Sequence, residues 1–244
     1  MLIIDGVSVY YEGQAAVTGA TLAVRPGHVV ALLGANGAGK SSLIGALGGI
    51  VDACGRIEVD GAAVRLRRPG MARRLGVAVV PEGHRVLTDL TVQDNLRVAS
   101  ATVARRERQA AIAAALEIFP ELLPLRDRAA RLLSGGEQQM LALAQAVVGR
   151  PTYLVVDELS LGLAPIIVDR LADALTQVAT AGTGVLLIEQ FTNVALRIAK
   201  TAYVMDRGRI VFEGEASELQ LRPELLHSAY LAAPTAQEVL DATR

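Results

Sequence analysis

The chain has 244 residues, 52% of them hydrophobic and 20% charged, with a formal net charge of −1; this length fits one large domain or two small ones and supports a well-filled core. Near-neutral charge excludes a protein that wraps nucleic acid, which needs a strong basic excess. The lone Cys54 excludes a disulfide framework and a thiolate metal site and suits a reducing cytosol, while His28, His84 and His227 lie far apart at no metal-ligand spacing.

The start, MLIIDGVSVYY, carries Asp5 and no basic segment ahead of a long apolar stretch, so it does not read as a secretory signal. IIDGVSVYY, ATLAVRPG and VVALLG then read as strands broken by turn residues. SSLIGALGGIV has helical spacing, and its apolar run, interrupted by glycines, is about half the length that crosses a bilayer. RIEVDGAAV reads as a hairpin turning on Asp60-Gly61, and LGVAVVP as a short buried strand. From Thr91 the texture changes to Ala, Arg, Leu and Glu. Thr91 with Asp94 makes a capping-box-like start to a helical stretch lasting to about Pro124, and Arg105, Arg106 and Arg108 read as its solvated face. Strand texture returns in YLVVDE and GVLLIEQ, separated by the helix PIIVDRLADALTQVA, and again in AYVMDRGRIVFEG. Apolar strands alternating with helices predict a parallel sheet covered on both faces, with a mostly helical insert.

Three motifs carry chemistry. LLGANGAGKSSL matches G-x-x-x-x-G-K-[ST] in full, after a strand and before a helix. The stretch Gly34, Asn36, Gly37, Ala38 and Gly39 turns backbone N–H groups inward to cradle phosphate oxygens, and Ser42 lies in the first turn of the helix behind it. Lys40 is expected to reach the β- and γ-phosphates of ATP, and Ser41 to ligate Mg²⁺. YLVVDE is a buried strand delivering two acids at its carboxyl edge, where Asp157 supports Mg²⁺ and Glu158 orients and polarises the attacking water. The third motif, RLLSGGEQQMLALAQAVV, places Ser134, Gly135, Gly136 and Glu137 at a second helix start suited to phosphate.

LSGGEQQ between a phosphate loop and a Walker-B strand resembles the signature motif of ABC-type ATPases, and the resemblance covers almost the whole chain. It implies a P-loop NTPase cassette of α/β class, with a RecA-like core, an N-terminal antiparallel β part and an inserted helical subdomain. Residues 1–90 and 151–230 would form the core with its β part, 91–150 the helical signature subdomain and 231–244 a C-terminal tail, all within one ABC ATPase domain. It also implies that two cassettes dock head to tail, the signature residues Ser134 to Glu137 of one meeting the γ-phosphate held by the other. Tyr11 is placed like the aromatic that stacks on adenine in this family.

Finer likeness points to one branch. SLGLAP after Asp157-Glu158 and VVPEGHRVL, with Glu82 where the family at large has a glutamine, are similar to the ATPases of branched-chain amino acid importers. So are GVLLIEQF, with Gln190 where most cassettes have a switch histidine, and the tail LLHSAYLA; the match is to the shorter of the two cassettes of those systems. The implied partners are a second cassette, two transmembrane permease subunits and, indirectly, a solute-binding protein, with the chain on the cytoplasmic membrane face. Glu82 would bring a carboxylate to Mg²⁺, and Gln190 would sense the γ-phosphate. Importers for urea, short amides or other small solutes use similar cassettes, and a weakly active regulatory cassette is a further alternative. An ABC-type ATPase acting on DNA or ribosomes would need a coiled-coil insertion, tandem cassettes or a basic face, none of which the chain has. The chain departs from the family pattern at Leu159 for a proline, Gln145 for an arginine and Gly162 for an aspartate.

Overall fold

The computed structural model describes residues 1–83, 86–190 and 192–221. Strands β1 (Leu2–Tyr11) and β2 (Gln14–Val24) pair antiparallel, and β3 (Val29–Leu33) is buried at every residue before the glycine loop and helix α1 (Lys40–Gly48). The next strand, β4 (Asp52–Val59), returns antiparallel to β1 and turns through Asp60 and Gly61, at φ 48 and 82, into β5 (Ala62–Ala63). Positive φ at both central residues is what a tight two-residue hairpin demands, as Asp-Gly predicts.

After the short helix α2 (Met71–Arg74), β6 (Val77–Val80) leads to helices α3 (Val92–Ala99), α4 (Arg108–Ile118) and α5 (Gly135–Val148). The stretch expected as helical from Thr91 to about Pro124 is therefore broken into pieces. Its start is as expected, the Thr91 hydroxyl accepting from the Asp94 N–H at 3.0 Å. It breaks at Ser100, whose hydroxyl donates to the Arg97 carbonyl at 2.7 Å before Val103 turns extended, and Pro120 opens a separate 3-10 segment. Arg105 and Arg106 are exposed, while the Arg108 guanidinium folds back to the carbonyls of Val103 and Ala101 at 3.1 and 3.3 Å.

The chain then alternates β7 (Tyr153–Asp157), α6 (Pro165–Thr180), β8 (Gly184–Glu189), α7 (Thr192–Ile198), β9 (Thr201–Asp206), β10 (Arg209–Glu215) and α8 (Ala216–Leu221). The second sheet has the order β10-β9-β3-β8-β7-β6 and the first β2-β1-β4-β5. Five strands of the second sheet run parallel, as the alternation of strands and helices predicts; β10 is added antiparallel at its edge, with one face half-buried and the other exposed. Alternation in the buried strands splits the core between the two faces. Ala31, Leu33, Val156 and Leu187 pack with the helical part, while Leu32, Val155, Leu186 and Ile188 pack with α1 and the antiparallel sheet. The motif LLHSAYLA and the tail lie outside the described residues.

Candidate nucleotide site

The parallel strands β3, β8, β7 and β6 are neighbours, so their carboxyl ends bring Gly34, Glu189, Asp157 and Pro81 to one edge, where open α/β sheets bind ligands. The phosphate loop is braced from outside. The Gly208 N–H donates to the Ala38 carbonyl at 2.8 Å, and a Cβ at Gly39 (φ 108) would meet the Ala16 carbonyl at 2.9 Å. The second contact sets β2 against the loop, so the hairpin ending at Tyr11, itself 49% exposed, borders the head of α1. Asn36, Gly37 and Ser41 are exposed and Ser42 is half-buried.

Lys40 is 4% exposed and donates to the carbonyls of Gly34 and Ala35 at 2.7 and 3.0 Å. These contacts take two of the three donors of an ammonium. Burial lowers its pKa below the usual lysine range, against the pull of Glu158, Asp157 and Glu189. A cation held among acids and loop carbonyls is suited to a phosphate.

The Ser41 hydroxyl faces Asp157 Oδ2 at 3.5 Å, and Asp157 Oδ1 is buried with no hydrogen-bond partner among the described residues. Burial pushes the Asp157 carboxyl up to about 6; Glu158 and Glu82 add to the rise and Lys40 opposes it. An orphaned buried carboxylate oxygen beside a serine hydroxyl fits a hard cation that takes oxygen ligands. Among the described residues no group of three His, Cys, Asp or Glu side chains could hold a metal. Glu82 is exposed on the loop after β6 and close enough to Asp157 to shift its titration.

Glu158 begins the turn after β7 with φ 51, a left-handed conformation that a non-glycine residue rarely adopts, and its N–H donates to the Ile188 carbonyl at 2.9 Å. Gln190 is half-buried at the first bend after β8. The signature lies in another element, at the head of α5. Ser134 and Glu137 form a reciprocal capping box: the serine oxygen accepts from the Glu137 N–H at 3.3 Å, and Glu137 Oε2 accepts from the Ser134 N–H at 2.7 Å and from its hydroxyl at 2.9 Å. Gly135 is exposed, and Gly136 is buried where a Cβ would meet Ile167 at 2.8 Å, so the signature packs against the start of α6.

Two departures acquire a structural setting. The Gln145 amide donates to Asn95 Oδ1 at 3.1 Å, and Asn95, fully buried, ties down the Leu87 N–H and the carbonyls of Leu87, Leu90 and Thr91. Gly162 has φ 71, which glycine adopts without strain. Sequence reasoning passed over Asn95, Ser160 and Glu189; a buried acid ending the apolar run GVLLIE was the available signal for the last.

A family model described as ABC transporter matches residues 17–160. The chain belongs to the ABC transporter family. It is 40% identical, over 95% of its length and 99% of the relative's, to the Pseudomonas aeruginosa protein described as "High-affinity branched-chain amino acid transport ATP-binding protein BraG". It is 36% identical, over 80% of its length and 84% of the relative's, to an Archaeoglobus fulgidus protein described as "Probable branched-chain amino acid transport ATP-binding protein LivF". A crystal structure titled as the ADP conformation of an ATP-binding cassette of an ABC transporter superposes with TM-score 0.85 at 24% identity, over 96% of this chain and 99% of that one. The fold is that of an ABC ATPase cassette, and the chain is an ATP-binding ATPase of that family.

Proposed function

We propose that the chain hydrolyses ATP to drive an importer of branched-chain or other hydrophobic amino acids from the cytoplasmic membrane face. The observation that carries the chemistry is the meeting of Lys40, Ser41, Asp157 and Glu158 at one sheet edge. The N–H groups of residues 34 to 39 and the Lys40 ammonium bind and orient the β- and γ-phosphates, and Tyr11 stacks on the adenine. Ser41, Asp157 and Glu82 would hold Mg²⁺, which supplies neutralisation of phosphate charge when bound. Glu158 accepts a hydrogen bond from the attacking water and polarises it. The Gln190 amide, which cannot titrate, donates to a phosphate oxygen and so positions without acting as a base.

A second cassette completes the site. Ser134 and Gly135 are exposed, and so are the apolar Leu132 just before the signature, Leu161 in the loop that follows β7 and Ile166 in the first turn of α6, a surface suited to burial against another copy or a paralogue. Two permeases are the further partners. A groove of about 500 Å³, lined by Ala72, Val77, Pro81, Leu87, Val98 and Gln145 among others, joins the core to the helical part. A permease segment seated there would touch both the loop carrying Glu82 and the helix that follows the signature. The solute class rests on the names of the two relatives. Purification from membranes with the partner subunits, followed by reconstitution with the solute-binding protein, tests it. Leucine, isoleucine or valine should stimulate ATP turnover; stimulation by urea or a short amide instead would replace the amino acid reading.

A further inference from the structure

Glu189 is the last residue of β8, 1% exposed, and it lies between the phosphate-loop strand and the strand that ends in Asp157. Its carboxylate accepts from the Ser160 N–H at 3.0 Å and from the Ser160 hydroxyl at 2.7 Å, and the Leu159 N–H also hydrogen-bonds to it. Just before it, the Ile188 carbonyl accepts from the Glu158 N–H at 2.9 Å. The end of β8 thus takes up the N–H groups of three successive residues, 158 to 160. The first of them is the one held in a left-handed conformation.

Such a conformation persists in a non-glycine residue only where its surroundings over-determine it. Here the determinant is an anion wrapped by a turn. A proline at 159 would have no N–H to give, whereas Leu159 offers one and buries its side chain completely. A carboxylate suits the role because both of its oxygens accept, while an amide of the same shape would turn donors toward donors. The neighbouring charges oppose the arrangement: Glu158 lies close enough to Glu189 to repel it, and Lys40 is the nearby cation coupled to both. A buried acid beside another acid therefore needs these donors to remain in place.

From this geometry we propose that Glu189 is a positioning residue for hydrolysis: by clamping the turn Leu159–Ser160 it aims the Glu158 carboxylate at the attacking water. The proposal rests on the reading of Glu158 as the water-orienting group. Glu189 itself touches no phosphate in this scheme, so its loss slows turnover without loosening ATP.

Glu189→Gln, Ser160→Ala and the double variant in the purified full chain test it, with kcat and KM from phosphate release and ATP affinity from a fluorescent nucleotide. Glu158→Gln is measured alongside. We expect Glu189→Gln to lower kcat ten- to a hundredfold and Ser160→Ala three- to tenfold, each with KM and nucleotide affinity within about threefold of the parent. Because both act through one contact, the double variant should be no more than about twofold slower than Glu189→Gln. Ser160→Ala removes only an oxygen from a half-buried loop position and decides the matter even if Glu189→Gln does not fold. An inactive Glu158→Gln with parental kcat in Ser160→Ala and in any folded Glu189→Gln would overturn the clamp alone. A Glu158→Gln variant at the parental rate would overturn the reading beneath it. A fall in nucleotide affinity as large as the fall in kcat would make Glu189 a general support of the fold and not a positioning residue.

Discussion

Ser41 in the first turn of α1 and Asp157 at the end of β7, 116 residues apart in the chain, face each other at 3.5 Å, with the second oxygen of Asp157 buried and unpartnered among the described residues. The pair makes metal affinity and stability opposing demands on one carboxylate. Asp157 titrates near 6 when folded, above the ordinary aspartate value, so the folded state holds its proton more tightly than the unfolded chain. Its contribution to stability is therefore most favourable below the ordinary value and declines as pH rises through about 6. In metal-free protein, Asp157→Asn should raise stability at pH 7.5 by on the order of 1 to 3 kcal/mol and remove the part of the pH dependence between 4 and 7 that belongs to this group. The same variant should lose the rise in melting temperature that Mg²⁺ with ATP gives the parent. Thermal melts with and without Mg²⁺, at several pH values, check both halves.

The Gln145–Asn95 contact makes a second, structural prediction. Asn95→Ala would leave the Leu87 N–H and the Gln145 amide without this buried acceptor, while the carbonyls of Leu87, Leu90 and Thr91 each keep a backbone N–H, so it should cost about 1 to 3 kcal/mol and lower the melting temperature by several degrees. Gln145→Ala removes one donor from the same hub and should cost less, about 1 kcal/mol. Urea titration of the three proteins orders them.

Those two residues also mark how far the sequence could be read. The phosphate loop, the strand YLVVDE and the Asp60-Gly61 hairpin are local patterns whose chemistry is complete within a few residues, and each takes its expected form. The roles of Asn95 and Glu189 depend on partners distant in the chain, which no local pattern names: Asn95 binds a loop five to eight residues upstream and Gln145 fifty residues on, and Glu189, marked only as an acid ending an apolar run, accepts from a turn 29 residues back. The Ala and Leu content after Thr91 favours helix throughout, whereas the break at Ser100 comes from a hydroxyl bonding its own backbone. β10 departs from the parallel pattern because a turn of only two residues, Arg207 and Gly208, joins it to β9 and leaves no room for the crossover that a parallel pair needs.

The proposed two-cassette site makes the signature a target. Ser134→Arg places a long cation at the exposed head of α5 and removes the capping-box hydroxyl. Loss of the cap should cost about 1 kcal/mol of stability. Nucleotide affinity of the single cassette should stay within about threefold, while hydrolysis falls to background. In the parent, hydrolysis should rise faster than linearly with protein concentration or require the partner cassette. Rates strictly proportional to concentration down to dilute protein, together with full activity of Ser134→Arg, would speak against the two-cassette site.

Gln190 makes a pH-resolved prediction. An amide gives no inflection of its own, so the parent should lack the one that an imidazole introduces. Gln190→Ala should lower turnover ten- to a hundredfold, whereas Gln190→His should remain active and acquire an inflection near 6 to 7. The rate profiles of the three proteins against pH decide between a sensor of phosphate and a bystander at the strand end.

The central claim is that Glu158, held in its turn beside the phosphate loop, activates the water that cleaves ATP. Glu158→Gln keeps the shape and removes the charge. Single-turnover hydrolysis measured next to equilibrium ATP binding tests it most directly: the account predicts ATP affinity within a fewfold of the parent and hydrolysis slower by two or more orders of magnitude. Hydrolysis at the parental rate with ATP bound as before would contradict it.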